Sequence, residues 1–208
     1  PRENSENIST ALSKGFLFLK DKSGVLFLGI TTIMSDVAIW GALSVLTITM
    51  SKEIFNKGSW GYGLMDGMYG FGALISTIVV AIITKKFGRR KSLIWCYSIA
   101  GLCCFISPFS PTIYIAGIAY LLMGLHNNSA RIIVRTLFME IIPNNIMGRV
   151  QTIFGVYTRV MMLTSVLIAG WVTENLNPHI GMNFASAHYL IALIGITVIS
   201  KFSNFRKE

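Results

Sequence analysis

The sequence predicts an all-α membrane protein of six transmembrane helices, on three observations. The chain has 208 residues, of which 53% are hydrophobic and only 13% charged, about half the charged share of a soluble domain. Its apolar residues gather into six runs long enough to cross a bilayer. Its basic residues fall almost entirely between alternate runs, as they do in the cytoplasmic loops of membrane proteins.

The runs lie near 24–50, 60–84, 91–108, 112–137, 150–173 and 185–201. Turn and charge signals separate them at Lys52–Ser59, Lys85–Lys91, Ser107–Pro111, Pro143–Arg149 and Glu174–Asn183, where Gly, Pro, Asn and charge interrupt apolar periodicity. Three regions follow: a linker over 1–23, the membrane part over 24–201 and a tail over 202–208. In the linker, Ile8, Leu12, Phe16 and Leu19 recur at helical spacing among lysines. That reads either as an amphipathic helix on the membrane surface or as a plain linker helix. The chain opens at Pro1, and Pro1–Thr10 is polar, which suggests one half of a longer protein.

With the first residue on the cytoplasmic side, thirteen Lys and Arg fall inside, two outside and three within spans. This bias places both ends in the cytoplasm, in a cytoplasmic (inner) membrane. The formal charge of +9 is therefore read as topology, since no nucleic-acid-binding motif accompanies it. Cys96, Cys103 and Cys104 share one apolar run and have neither metal-ligand nor disulfide spacing. No phosphate-binding loop, nucleophile turn or paired metal-binding aspartates occur. A membrane enzyme is thus disfavoured, and neither cofactor nor metal is expected.

Charges inside a bilayer are costly, so each marks a candidate site. On the first span Gly29, Thr32, Asp36, Trp40, Leu43 and Thr47 fall on one face at 100° per residue. This stripe lines either a cavity or a helix contact. On the fourth span Gly117, Tyr120, Gly124, Asn127, Asn128, Arg131 and Arg135 cluster similarly. Asn127, Asn128 and Arg131 could bind a polar or anionic solute, or pair with Asp36. Arg135 reads alternatively as a tether for Glu140, and His126 points away from the stripe. Asp66 shares its face with Tyr62, Gly63, Gly70, Ala73 and Thr77, and is either an outer gate contact or a solvated helix-end charge. Arg159, ten residues into the fifth span, should need Asp36 or Asp66 as a buried partner.

Two loops carry a resemblance. Lys85-Lys86-Phe87-Gly88-Arg89-Arg90-Lys91 resembles the basic loop G-x-L-x-D-R-x-G-R-R of the major facilitator superfamily. Lys86, Gly88, Arg89 and Arg90 match it, while Ala81 replaces its first glycine and Lys85 its aspartate. Met139-Glu140-Ile141-Ile142-Pro143 followed by Met147-Gly148-Arg149-Val150 is similar to the E-x-x-P…G-R-V loop of the drug- and siderophore-exporting branch (macrolide- and enterobactin-exporter-like proteins). The resemblance implies the C-terminal six-helix half of a twelve-helix transporter, as a three-plus-three inverted repeat packed on an N-terminal half. It gives Lys86, Gly88, Arg89, Arg90, Glu140, Gly148 and Arg149 to cytoplasmic gate loops.

The expected activity is proton-coupled efflux of a small amphipathic molecule by alternating access. Burial favours a protonated carboxyl and a nearby guanidinium an ionised one, so Asp36 with Arg131 or Arg159 could trade solute against protons. The expected partners are the bilayer, that solute, protons and an N-terminal half. Uptake and a non-transporting scaffold are the alternatives, the latter predicting that Asp36 and Arg131 are dispensable for flux.

Overall fold

The structure is a computed structural model and describes residues 8–202, all of them helix, turn or short connection with no strand among them. The polar start of the linker and the tail after 202 lie outside the described residues. Helix α1 spans Ile8–Asp21. Helix α2 is a continuous rod over Ser23–Ile54. The helical stretch Gly58–Ile106 comprises α3 (58–87) and α4 (89–106). Helices α5 (Ile113–Ile141), α6 (Asn144–Asn175) and α7 (Pro178–Phe202) complete the chain.

The reversal between α3 and α4 occurs at one residue. Gly88 has φ 75° and ψ 159°, a conformation that side chains bearing Cβ strongly disfavour. Ser92 Oγ donates to Gly88 O at 2.8 Å and lies 3.1 Å from Ile83 O. In a continuous helix residues nine apart are separated by roughly 13 Å; the contact therefore records a sharp fold-back.

Length and hydropathy suffice for membrane crossing in Ser23–Ile54, Gly58–Phe109, Asn144–Asn175 and Pro178–Ile199. The second of these contains the Gly88 reversal and so supplies two arms. Helix α5 has 29 residues, roughly 43 Å of rise, but its asparagines and arginines keep it out of that apolar set. It is also the helix against which α3 and α4 chiefly pack. The all-helical membrane fold is the one the sequence predicts.

Two helices begin earlier than their apolar runs. Asn177 Oδ1 accepts from Ile180 N at 3.0 Å, just before Pro178, an N-cap followed by a proline in the first turn. Pro143 likewise precedes α6, which starts at Asn144. The cap at Asn177 sets the start of α7, while α6 begins directly after Pro143 with no side-chain cap.

The core lies between α2, α4, α5 and α7, with Tyr97, Tyr189, Leu46, Met50, Met123 and Met182 fully enclosed. Polar residues of α2 are accommodated because their hydroxyls bond back into their own helix: Thr31, Thr32, Ser35, Thr47 and Thr49 all donate to carbonyls three or four residues earlier. Helices α3 and α5 touch backbone to backbone. A Cβ on Gly124 would meet the Tyr69 carbonyl, and one on Gly72 would meet Leu121 O and Leu125 N. Small residues permit such close approach in membrane bundles.

A second, smaller cluster (Leu19, Val25, Ile142, Val150 and Phe154) gathers α1, the start of α2, the end of α5 and the start of α6. It marks one end of the bundle. Helix α1 packs along α6, its Gly15 against Arg149, while Phe16 and Leu17 stay exposed.

Candidate functional site

Two cavities flank one ion pair. Arg131 on α5 and Asp36 on α2 approach to 3.5 Å between Nε and Oδ1. Both atoms are inaccessible and neither has a hydrogen-bond partner; their charges touch without hydrogen-bond geometry. Their side chains remain 32% and 25% exposed, through the cavities beside them.

The first cavity, about 470 Å³, is lined by Thr32, Asp36, Arg131, Arg135, Gln151 and Thr158 among others. It lies toward the end marked by the Leu19 cluster, since Phe138 and Phe154 belong to both. The second, about 360 Å³, is lined chiefly by Trp40, Thr47, Tyr62, Asp66, Tyr69, Tyr120 and Asn128. Arg131 lines both cavities. Arg135 is exposed in the first cavity and adds positive field at Asp36.

A change of helix type turns α2 from one cavity to the other. Ala38–Ala42 is a turn of π-helix, and Met50–Ile54 another. A π-turn inserts an extra residue and shifts the phase of all that follows. Asp36 precedes the first π-turn and faces one cavity; Trp40, 54% exposed, lies within it and faces the other. A Cβ on Gly41, from the same turn, would stand 3.1 Å from Ser165, and Ser165 Oγ lies 3.2 Å from His188 Nε2.

The predicted site residues divide into three sets. Thr32, Asp36 and Arg131 meet at the first cavity, and Trp40, Asp66, Tyr120, Asn128 and Arg131 at the second. Tyr120 and Thr47 share a hydrogen bond of 3.0 Å. Asn128 Nδ2 donates to Ser76 Oγ at 2.6 Å and Ala73 O at 3.1 Å.

Asn127 lies elsewhere. It is 2% exposed, lines neither cavity, and donates from Nδ2 to Tyr69 OH at 3.0 Å. One residue along α5 turns it from the cavity into the α3 contact, a distinction the broad polar stripe concealed. Arg159 and Asp66, expected as buried partners, are both exposed. Arg159 shares an outward face of α6 with Val156, Val160 and Leu163 and pairs with no described carboxylate, because Asp36 belongs to Arg131. Asp66 opens into the second cavity. Nor does its neighbourhood form a tight contact: Gly63, Gly67 and Gly70 have open space where a Cβ would stand.

Both motif loops meet at the Leu19-cluster end. Arg89 donates to Glu140 through two nitrogens, Nη1 at 2.5 Å and Nη2 at 2.9 Å, a forked charge-assisted pair. It is thus Arg89, rather than Arg135, that tethers Glu140. Lys86 Nζ lies 5.2 Å from the Phe87 ring centre; Arg90 and Gly148 are exposed. Arg149 backs onto α1. His126 Nδ1 lies 2.8 Å from Leu122 O, outside both cavities.

The hydrogen bonds from Arg89 hold the Glu140 carboxyl below the usual range. A lowered folded-state value means that the bridge contributes above the ordinary glutamate pKa, near 4.3. The contribution is lost as pH falls through the lowered value. A ¹³C-carboxyl titration should show this low midpoint, and Arg89→Met should return it toward the ordinary one. A midpoint unmoved by that substitution would show that Arg89 is not the cause.

Sequence reasoning missed Tyr69, Tyr97, Gln151, Thr158 and the Ser165–His188 contact. Tyr69 was findable, since it follows Asp66 by three residues and Tyr62 by seven, one helical face. Nothing in the apolar run of α4 distinguishes Tyr97.

A polytopic helical bundle holding an intramembrane ion pair between two cavities has the construction of a solute carrier. The chain matches the profile of the Major Facilitator Superfamily over residues 25–203. It belongs to that superfamily, whose members are transporters. It is also similar to a D-xylose transporter of Levilactobacillus brevis, 26% identical over 158 residues. That alignment covers 76% of this chain and 32% of the relative, so the chain spans about a third of the length of the protein it matches.

Proposed function

We propose that this chain is one six-helix half of a secondary transporter that works by alternating access, with its inverted repeats packed against an N-terminal half. The observation that carries the reading is Arg131, which lines both cavities while paired with Asp36. A rocking motion that closes one cavity and opens the other would pass this pair. Asp36 is the coupling group: it takes a proton when Arg131 leaves it, and releases it when the pair reforms. Arg89 and Glu140 latch the cytoplasmic side when that side is closed. Both ends of the chain lie in the cytoplasm of a cell bounded by this membrane.

Export of a small amphipathic molecule is the favoured direction, supported by the E-x-x-P…G-R-V loop around Glu140, Gly148 and Arg149. Uptake is the second reading, supported by the similarity to a protein named as a D-xylose transporter.

Comparing small molecules inside and outside cells, with and without the full gene, identifies the cargo and its direction. Retention inside the deletion strain means export; accumulation in the medium means uptake. In vesicles containing the full protein, Asp36→Asn should abolish uphill movement of that cargo, at least about tenfold, and spare exchange down a gradient. Continued uphill transport by the Asp36→Asn variant would end the coupling proposal.

A further inference from the structure

The second cavity has a chemistry that selects among cargoes, and an inference about its class rests on the transporter reading above. From its lining we propose that the cavity formed by Trp40, Tyr62, Tyr69, Tyr120, Asp66 and Asn128 binds an amphipathic organic cation, with Asp66 as counter-ion.

Several side-chain donors of the wall are already engaged. Ser44 donates to Gly41 O at 2.6 Å, and Thr47 donates to Leu43 O at 2.7 Å. The amide hydrogens of Asn128 go to Ser76 and Ala73. Those donors are spent within the protein, while Asn128 Oδ1 and the Asp66 carboxylate stand as acceptors beside the Trp40 and tyrosine side chains. The guanidinium of Arg131 is neutralised by Asp36 at 3.5 Å. Asp66 is exposed and enters no ion pair among the described residues, so it leaves the cavity with an uncompensated negative charge.

The rest of the wall is aromatic. Trp40 is 54% exposed, carried by the π-turn whose reverse side is held by the Gly41–Ser165 contact. Aromatic faces attract cations electrostatically, Trp most strongly. An anion would have to displace Asp36 from Arg131 and would face the Asp66 carboxylate. A cation with an apolar body needs what this wall offers: a carboxylate and aromatic faces. The volume of about 360 Å³ falls within the range of small-molecule sites.

The test is equilibrium dialysis of tetraphenylphosphonium against the full protein in detergent, with neutral triphenylphosphine oxide in parallel. The cation should bind and the neutral compound should bind at least about tenfold more weakly. Asp66→Asn should weaken cation binding about tenfold, Asp66→Glu should retain it, and Trp40→Leu should weaken it on the order of fivefold. Size-exclusion elution of each variant reports folding. Equal affinity for the two probes, or Asp66→Asn binding like the unaltered protein, would overturn the inference. Flux of a neutral solute without tetraphenylphosphonium binding overturns it too, and leaves the transporter reading standing. Asp66-dependent cation binding without flux of any solute supports this site and removes the transporter reading.

Discussion

Gly124→Val is expected to prevent assembly of the bundle, the largest effect of any single substitution considered. The first atom added at Gly124 meets the carbonyl oxygen of Tyr69, a backbone atom that cannot swing aside. Gly72 faces Leu121 and Leu125 in the same crossing, so α3 and α5 would have to separate along their shared face. Separation would also break the Asn127–Tyr69 and Asn128–Ser76 hydrogen bonds, which join the same helices. Overpacking and broken buried hydrogen bonds together cost about 4 kcal/mol or more, enough to unfold a marginally stable protein. The measurement is thermal unfolding of the purified full protein, with Gly24→Ala as comparison, since a Cβ at Gly24 would meet nothing within 4 Å. A Gly124→Val protein that melts with the comparison would mean that this crossing is looser than described.

The second large effect is functional. Arg131→Met should remove the partner of Asp36 and reduce solute flux at least about tenfold, because the residue borders both cavities. It should also destabilise the fold by about 1–3 kcal/mol, less than for a fully enclosed pair since both side chains keep some solvent contact. Adding Asp36→Asn to Arg131→Met should restore stability but not uphill flux, because the unpaired charge is gone while the coupling group is gone with it. A double-mutant cycle on unfolding midpoints would reveal the coupling. Strict additivity would mean that the 3.5 Å approach carries no interaction energy. Restored uphill flux in the double variant would remove the pair from the mechanism.

Much of this arrangement is legible in the residues. Six apolar runs give the helices because a bilayer demands internally bonded backbone of a set length. Asp36 and Arg131 stand out because charge in an apolar run must find a partner. The loop motifs point to Arg89 and Glu140, although neither motif states that one closes on the other across the bundle end. What periodicity cannot show is what lies opposite a face. Arg159 has the sequence context of a buried charge, yet α6 turns it outward. Asn127 and Asn128 are neighbours in sequence with different surroundings, one enclosed against Tyr69 and the other on a cavity wall. The start of α7 at Pro178 depends on the single capping position Asn177, which hydropathy does not register. The first π-turn of α2, at Ala38–Ala42, breaks the uniform 100° wheel on which Asp36, Trp40 and Thr47 fell into a single stripe.

That turn also bears on how such a helix can change over generations. One surplus residue at Ala38–Ala42 keeps the halves of α2 in rotational phase with different neighbours, so the length of the segment carries information alongside its composition. Loss of one codon between Ala38 and Ala42 would rewind that turn to ordinary α geometry and rotate everything beyond it by about 100°. Trp40 and the residues after it would leave their places together, whatever their identity. Along this rod, substitutions are errors of spelling, and a single in-frame deletion is an error of register.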